Sequence, residues 1–168
     1  FAVQPTFAFQ VRGEYGSAEI QTLIDSLKAQ SYPFWKLELR ANNEFASDDP
    51  RVVSGGVWAD YLGKLEAGWI LSPALLYQAV AELQAGSARV IYWNEARLNS
   101  KGTQIESLIY RKEFSDDELS KFNGMGKAFL EGSSSEPDRS LVFIPQFLIY
   151  RKTTEPAFEM ISRSTSSD

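Results

Sequence analysis

Histidine and cysteine are both absent from the 168 residues. Without cysteine there is no disulfide, no thiolate nucleophile and no thiolate metal site. Without histidine there is no serine–histidine relay, no imidazole base and no imidazole ligand. Acid–base or metal chemistry would have to rest on carboxylates. Long apolar runs are lacking too, so no segment reads as a transmembrane helix; the chain is expected to be soluble, with no direct membrane insertion. Lysine and arginine never cluster beyond two neighbours, and the net charge is −5. Nucleic acids and anionic membranes are bound by basic faces, so neither is expected as a partner. A basic-then-apolar leader is missing, and the first residue is Phe1 rather than Met, which reads as a cut inside a longer protein with neighbouring domains.

What is present suffices for a core. Apolar residues make up 43% of the chain and aromatics 13%. One domain is expected over residues 1–161, followed by a polar tail or linker at 162–168.

The chain is organised around residues 57–95. Residues 58–65 are mostly apolar and aromatic and predict a strand, which stops at Glu66-Ala67-Gly68, where glycine permits a sharp turn. Ser72-Pro73 has the form of a helix cap followed by proline in the first turn. Leu75, Leu76, Ala79, Val80 and Leu83 then mark one helical face, and Gly86 is placed to end it. Residues 89–93 predict a second buried strand. Ligands of open α/β sheets sit beyond the carboxyl ends of strands. Glu66 and Glu95 both fall at such ends, so they are the candidate carboxylates for any acid–base or metal chemistry. Trp69, directly after the turn glycine, is the candidate exposed aromatic platform. For either acid, a solvated strand-end carboxylate is the commoner meaning.

Upstream, residues 6–11 predict the first strand, and Ile20, Leu23, Ile24 and Leu27 the stripe of a helix capped by Ser17. Pro33 follows the end of that helix, and residues 35–39 predict a strand parallel to the first. Gly55-Gly56 reads as a tight turn, because no helix N-terminus follows to make an anion site. Downstream, residues 105–110 predict an edge strand, Ser115 to Glu118 a capping box opening a helix, 130–140 a polar loop, and 141–151 a final strand.

These stretches, in this order, resemble family 2 glycosyltransferases of the GT-A fold. SLKAQSYPFWKLEL is similar to the family's Ser-Leu-x-x-Gln-Thr-Tyr-Pro-x-Trp-Glu-Leu segment. DPRV is shared, LEAGWILSPALLYQAV follows the frame of the acidic motif and its Leu-x-Pro-x-Ala-Leu-Tyr helix, and VIYWNE that of Ile-Tyr-Ser-Asp-Glu. FSDDELSKFNGMGKAF and LVFIPQFLIYR resemble the acceptor-side stretch and the final strand. The resemblance implies an α/β, mostly parallel sheet flanked by helices, a nucleotide-sugar or glycan ligand, and a cytoplasmic location. It also implies Mg²⁺ or Mn²⁺ as cofactor in any active form.

The departures matter as much. Glu66 stands where the first aspartate of the acidic pair would be, and Gly68 where the second would be. Asn42 and Asn43 replace aspartates that contact the nucleotide base, although turn residues are their ordinary meaning. A helix after Gly55-Gly56 is missing, and Trp58 reads as filling its space. The loop expected to supply a base offers Glu131, Glu136 and Asp138, with nothing to select one. The expectation is therefore a shortened, catalytically degenerate domain without a resident cofactor, binding or scaffolding within a saccharide-synthesis protein. Two alternatives stay open. One is an active nucleotide-sugar-dependent transferase with a one-carboxylate metal site; the other is a protein-interaction module with no saccharide site.

Overall fold

The computed structural model describes residues 1–39, 47–111 and 128–152. Asn42, Asn43, the helix expected from Ser115 and the tail at 162–168 lie outside the described residues. The first unit follows the sequence pattern closely. Strand β1 (Phe7–Arg12), helix α1 (Ser17–Lys28) and strand β2 (Trp35–Glu38) form a β-α-β unit with parallel strands. Ile20, Leu23, Ile24 and Leu27 are buried along one helix face. The helix begins at the expected cap itself, Ser17: Gly16 takes the cap position, and its N–H donates to the Glu19 carboxylate at 3.3 Å.

Strand β3 (Val52–Val53) pairs with β2 in parallel. Residues 54–60 then carry the chain onward without a helix. Trp58, on this connection, is 74% exposed, so it fills no gap. Strand β4 (Tyr61–Glu66) starts later than the apolar run does, because residues 57–60 find no neighbouring strand. Tyr61, Gly63 and Leu65 face the core, whereas Leu62 and Lys64 point to solvent.

Strand β5 (Ile70–Leu71) follows the turn, and helix α2 (Leu75–Leu83) comes next. Ser72 does not cap this helix. Its Oγ accepts from the Ala74 N–H at 3.3 Å, closing a turn that delays the helix start. Buried Gln30, just beyond α1, satisfies the α2 end instead. Its Oε1 accepts from the Leu76 N–H at 3.1 Å, and its Nε2 donates to the Ser72 carbonyl at 2.7 Å. Helix N-termini leave backbone donors unmet, and here a side chain from the neighbouring helix meets one.

Strands β6 (Ala88–Leu98) and β9 (Arg139–Lys152) form the longest ladder and run parallel. Strand β7 (Ile105–Ile109) returns antiparallel on β6, as expected of an edge. Strand β8 (Phe129–Gly132) corrects the expectation of a loop from 130. It lies antiparallel between β4 and β6 and joins the two halves of the sheet. The main order is β3-β2-β1-β4-β8-β6-β9-β5, with β7 on β6. The sheet is mixed and mostly parallel. Both helices share one continuous core with it, from Phe7 and Phe9 through Leu76 and Val80 to Trp93 and Ile149. Among the described residues, no helix is long and apolar enough to cross a membrane.

Candidate functional site

Strand direction decides where a site can form. β1, β2 and β4 are mutually parallel; β8 opposes β4 and β6, so β6 and β9 run the same way as β4. The carboxyl ends of all these strands therefore lie at one edge of the sheet. A cleft of about 580 Å³ opens there, lined from β1 by Arg12, from β4 by Glu66, from β6 by Arg97 and from β9 by Arg151 and Lys152. Sequence logic expects a site at this edge, and Glu66 lines the cleft found there.

Glu66 ends β4, half-buried, in register with Arg12. The chain turns sharply after it. Gly68 has φ +89°, its N–H donates to the Glu19 carbonyl at 3.1 Å, and the Trp69 N–H returns to the Glu66 carbonyl at 3.2 Å. A left-handed residue at this corner suits glycine, so the position where a second carboxylate was sought is set by backbone geometry.

Two expectations are overturned here. Trp69 is not an exposed platform. Only 4% of it is accessible, because β5 carries it back under β9, where the Arg151 guanidinium lies 4.2 Å above its ring centre. Glu95 is not at a strand end. β6 continues through it to Leu98, and its accessibility is 0%. Arg151 Nη2 lies 2.8 Å from its Oε1 and 2.7 Å from its Oε2, and Arg111 Nη2 lies 3.4 Å from Oε2. The neighbouring Asn94 accepts the Arg111 N–H at 2.6 Å, which brings that arginine back onto β6. Burial pushes the Glu95 carboxyl up from its ordinary value, and the guanidiniums of Arg151 and Arg111 oppose that push.

The acids of the former loop are elsewhere. Glu131 lies within β8, between Leu62 and Val90 in register. Glu136 sits on an exposed turn. Asp138 accepts from the Ser87 N–H at 2.8 Å, at the opposite sheet edge, where a second cavity of about 420 Å³ opens. Asp60 lines that cavity too, accepting from the Thr6 N–H at 2.9 Å, so both acids serve as backbone clasps.

Sequence reading missed the cationic side chains. None of Arg12, Arg97, Arg151 and Lys152 stands out in the sequence as a site residue. The available signal was positional: each basic residue stands at or near the carboxyl end of a strand that points to the same edge.

The described lining offers a divalent cation few carboxylates. Such ions take several oxygen ligands, with carboxylates central among them. Besides Glu66, the lining acids are Glu14 and Glu19, and the Glu19 carboxylate is turned to Gly16. No group of three acids close enough to hold a metal exists among the described residues.

No protein-family model matches the chain, and no curated protein does. Solved structures are similar. The S. aureus TarS 1–349 fragment in complex with UDP-GlcNAc superposes with a TM-score of 0.62 at 10% identity, over 89% of this chain. The same fragment in complex with UDP gives 0.60 over 94%, and S. aureus TarS in its longer form 0.57 over 95%. The chain spans 59% of the length of the UDP-GlcNAc-bound fragment and 38% of the longer form. At such identity the likeness is one of fold. This chain has a GT-A-like glycosyltransferase fold, α/β with a mixed, mostly parallel sheet.

Proposed function

We propose that the chain is a family 2-like glycosyltransferase domain that has lost transfer chemistry and retains its cleft for binding, as part of a larger saccharide-building protein. The observation that carries this reading is the state of Glu95. The best candidate for an acceptor-side carboxylate is sealed inside β6 by two arginines and cannot touch a substrate. A general base must come within hydrogen-bond reach of the proton it takes. Glu66 then remains as the strand-end acid of the cleft, beside a glycine that supplies no ligand.

The test is a hydrolysis and transfer assay over common nucleotide-sugars, with and without Mn²⁺. No turnover above background is expected. A second reading, an active one-carboxylate transferase, rests on Glu66 standing in the cleft at the expected strand end. Metal-dependent turnover that disappears in Glu66→Gln would establish it and sink the first.

A further inference from the structure

We infer that the cleft holds a phosphate- or diphosphate-bearing ligand by direct contact with fixed cations, without a bridging metal, and that Glu95 is a positioning residue for the central one, Arg151. The inference rests on the proposed reading of the cleft as a retained binding site. Three observations carry it.

The first is that cations from separate strands converge. Arg12, Arg97, Arg151 and Lys152 line one cleft, against Glu14, Glu19 and Glu66. The second is that three of these cations are uncommitted. The side chains of Arg12, Arg97 and Lys152 make no hydrogen bond or ion pair among the described residues, whereas Glu19 is turned to a backbone N–H. Surface cations usually find a carboxylate when one is near. Here three acids line the same walls and the cations do not pair with them, so their donors remain available to an incoming anion.

The third is the way Arg151 is held. One Nη sits on both oxygens of a fully buried carboxylate, at 2.7 and 2.8 Å, and the guanidinium plane lies on Trp69 at 4.2 Å. An arginine side chain otherwise loses rotamer entropy on binding a ligand. Fixing it beforehand removes that cost, which is the general benefit of preorganisation. With Nη2 on Glu95 and Nε buried, what Arg151 offers an anion is a positive charge fixed in place. Glu95 is buried out of reach of any ligand, so its influence on binding must pass through Arg151.

The test uses the full chain, isothermal titration with inorganic pyrophosphate and with uridine diphosphate, and EDTA throughout. Saturable binding of both, weakening as salt rises, is expected. Equal affinities would assign the contact to phosphates alone, and a tighter uridine diphosphate would add a nucleoside contact to the same phosphate site. Arg151→Lys keeps the charge but loses the clamp between Glu95 and Trp69, and should weaken pyrophosphate about tenfold, the equivalent of about 1.4 kcal/mol. Lys36→Gln, on the exposed side of β2, should leave it unchanged.

Glu95→Gln separates positioning from charge. Removing a negative charge near the cleft should tighten anion binding if charge alone mattered; loss of the clamp should weaken it severalfold. Weaker binding by a variant that still melts cooperatively supports the positioning role, and tighter binding overturns it. Where Glu95→Gln does not fold, Arg151→Lys decides. Absence of saturable heat in EDTA, binding that appears only with Mn²⁺, or an Arg151→Lys variant of undiminished affinity overturns the inference. Turnover of a nucleotide-sugar would instead sink the degenerate reading and leave this anion site standing.

Discussion

Glu95 has no access to water, and among the described residues its charge is balanced by two guanidiniums. Replacing it with alanine removes an acceptor and strands Arg111 and Arg151 together. Breaking a buried ion pair from one side costs about 3–5 kcal/mol, far more than intact pairs contribute. Glu95→Ala should lose that much in urea unfolding; a loss below about 1 kcal/mol would mean the arginines are solvated. Asp49 gives a milder case with a defined pH window. The Arg51 guanidinium, 2.8 Å away, lowers its carboxyl from 3.8 to about 2. A lowered carboxyl stabilises the fold above its unfolded value, and that contribution fades as pH falls toward the folded value. Wild-type stability should therefore drop between about pH 4 and pH 2, by roughly 1–2 kcal/mol more than in Asp49→Asn. At this scale the sequence was least legible. Asn94-Glu95 looked like the polar end of a strand because its partners are 16 and 56 residues further on in the chain. Trp69 looked exposed for the same reason: the strand that covers it is distant in sequence.

Elements were easier to read, where periodicity was strong. Leu76 and Val80 are fully buried on α2 while Gln78 stays partly exposed, as the helical stripe required. Leu76→Ala should cost about 2–4 kcal/mol and Gln78→Ala less than about 0.5 kcal/mol in chemical denaturation. Equal costs would mean that the helix is rotated from this register. Strand β8 had no such pattern. Four residues before a serine-rich loop are too few to show a period of two, and only its neighbours on both sides make it a strand. Its last residue shows how tightly it is held: a Cβ on Gly132 would run into the Ala88 carbonyl oxygen, which is backbone and cannot swing away. Gly132→Ala should destabilise by about 1–3 kcal/mol. Gly55→Ala, where a Cβ meets nothing within 4 Å, should lie within about 0.5 kcal/mol of wild type. Thermal melts of the two variants would compare them, and indistinguishable melting temperatures would contradict the central placement of β8.

For the whole molecule, parallel topology does the positioning: it gathers the ends of β1, β4, β6 and β9 at one edge and so places Glu66 and four cations around one cleft. The edge was legible from strand ends and the order of motifs; its charge was not, because the arginines come from separate strands that only folding brings together. On the proposed reading of a domain without transfer chemistry, this arrangement bears on what one added acid would do. Gly68→Asp would rebuild a second acid two residues after Glu66. At φ +89° an aspartate starts from a backbone conformation that costs side-chain-bearing residues about 1–2 kcal/mol. Its carboxylate would also enter a cleft lined by Arg12, Arg97, Arg151 and Lys152, where ion pairing competes with metal coordination. Glu95 remains sealed, so no acceptor-side base returns with the new acid. A metal-assisted departure of diphosphate needs several kcal/mol of charge stabilisation, which is several orders of magnitude in rate at about 1.4 kcal/mol per tenfold. Gly68→Asp should accordingly melt slightly earlier than the natural sequence and show no Mn²⁺-dependent turnover of nucleotide-sugars. Its anion affinity should fall, since a negative charge has been added among the cations. Turnover in this variant with undiminished stability would show that one missing carboxylate was the whole of the loss, and that the sealed Glu95 was never needed.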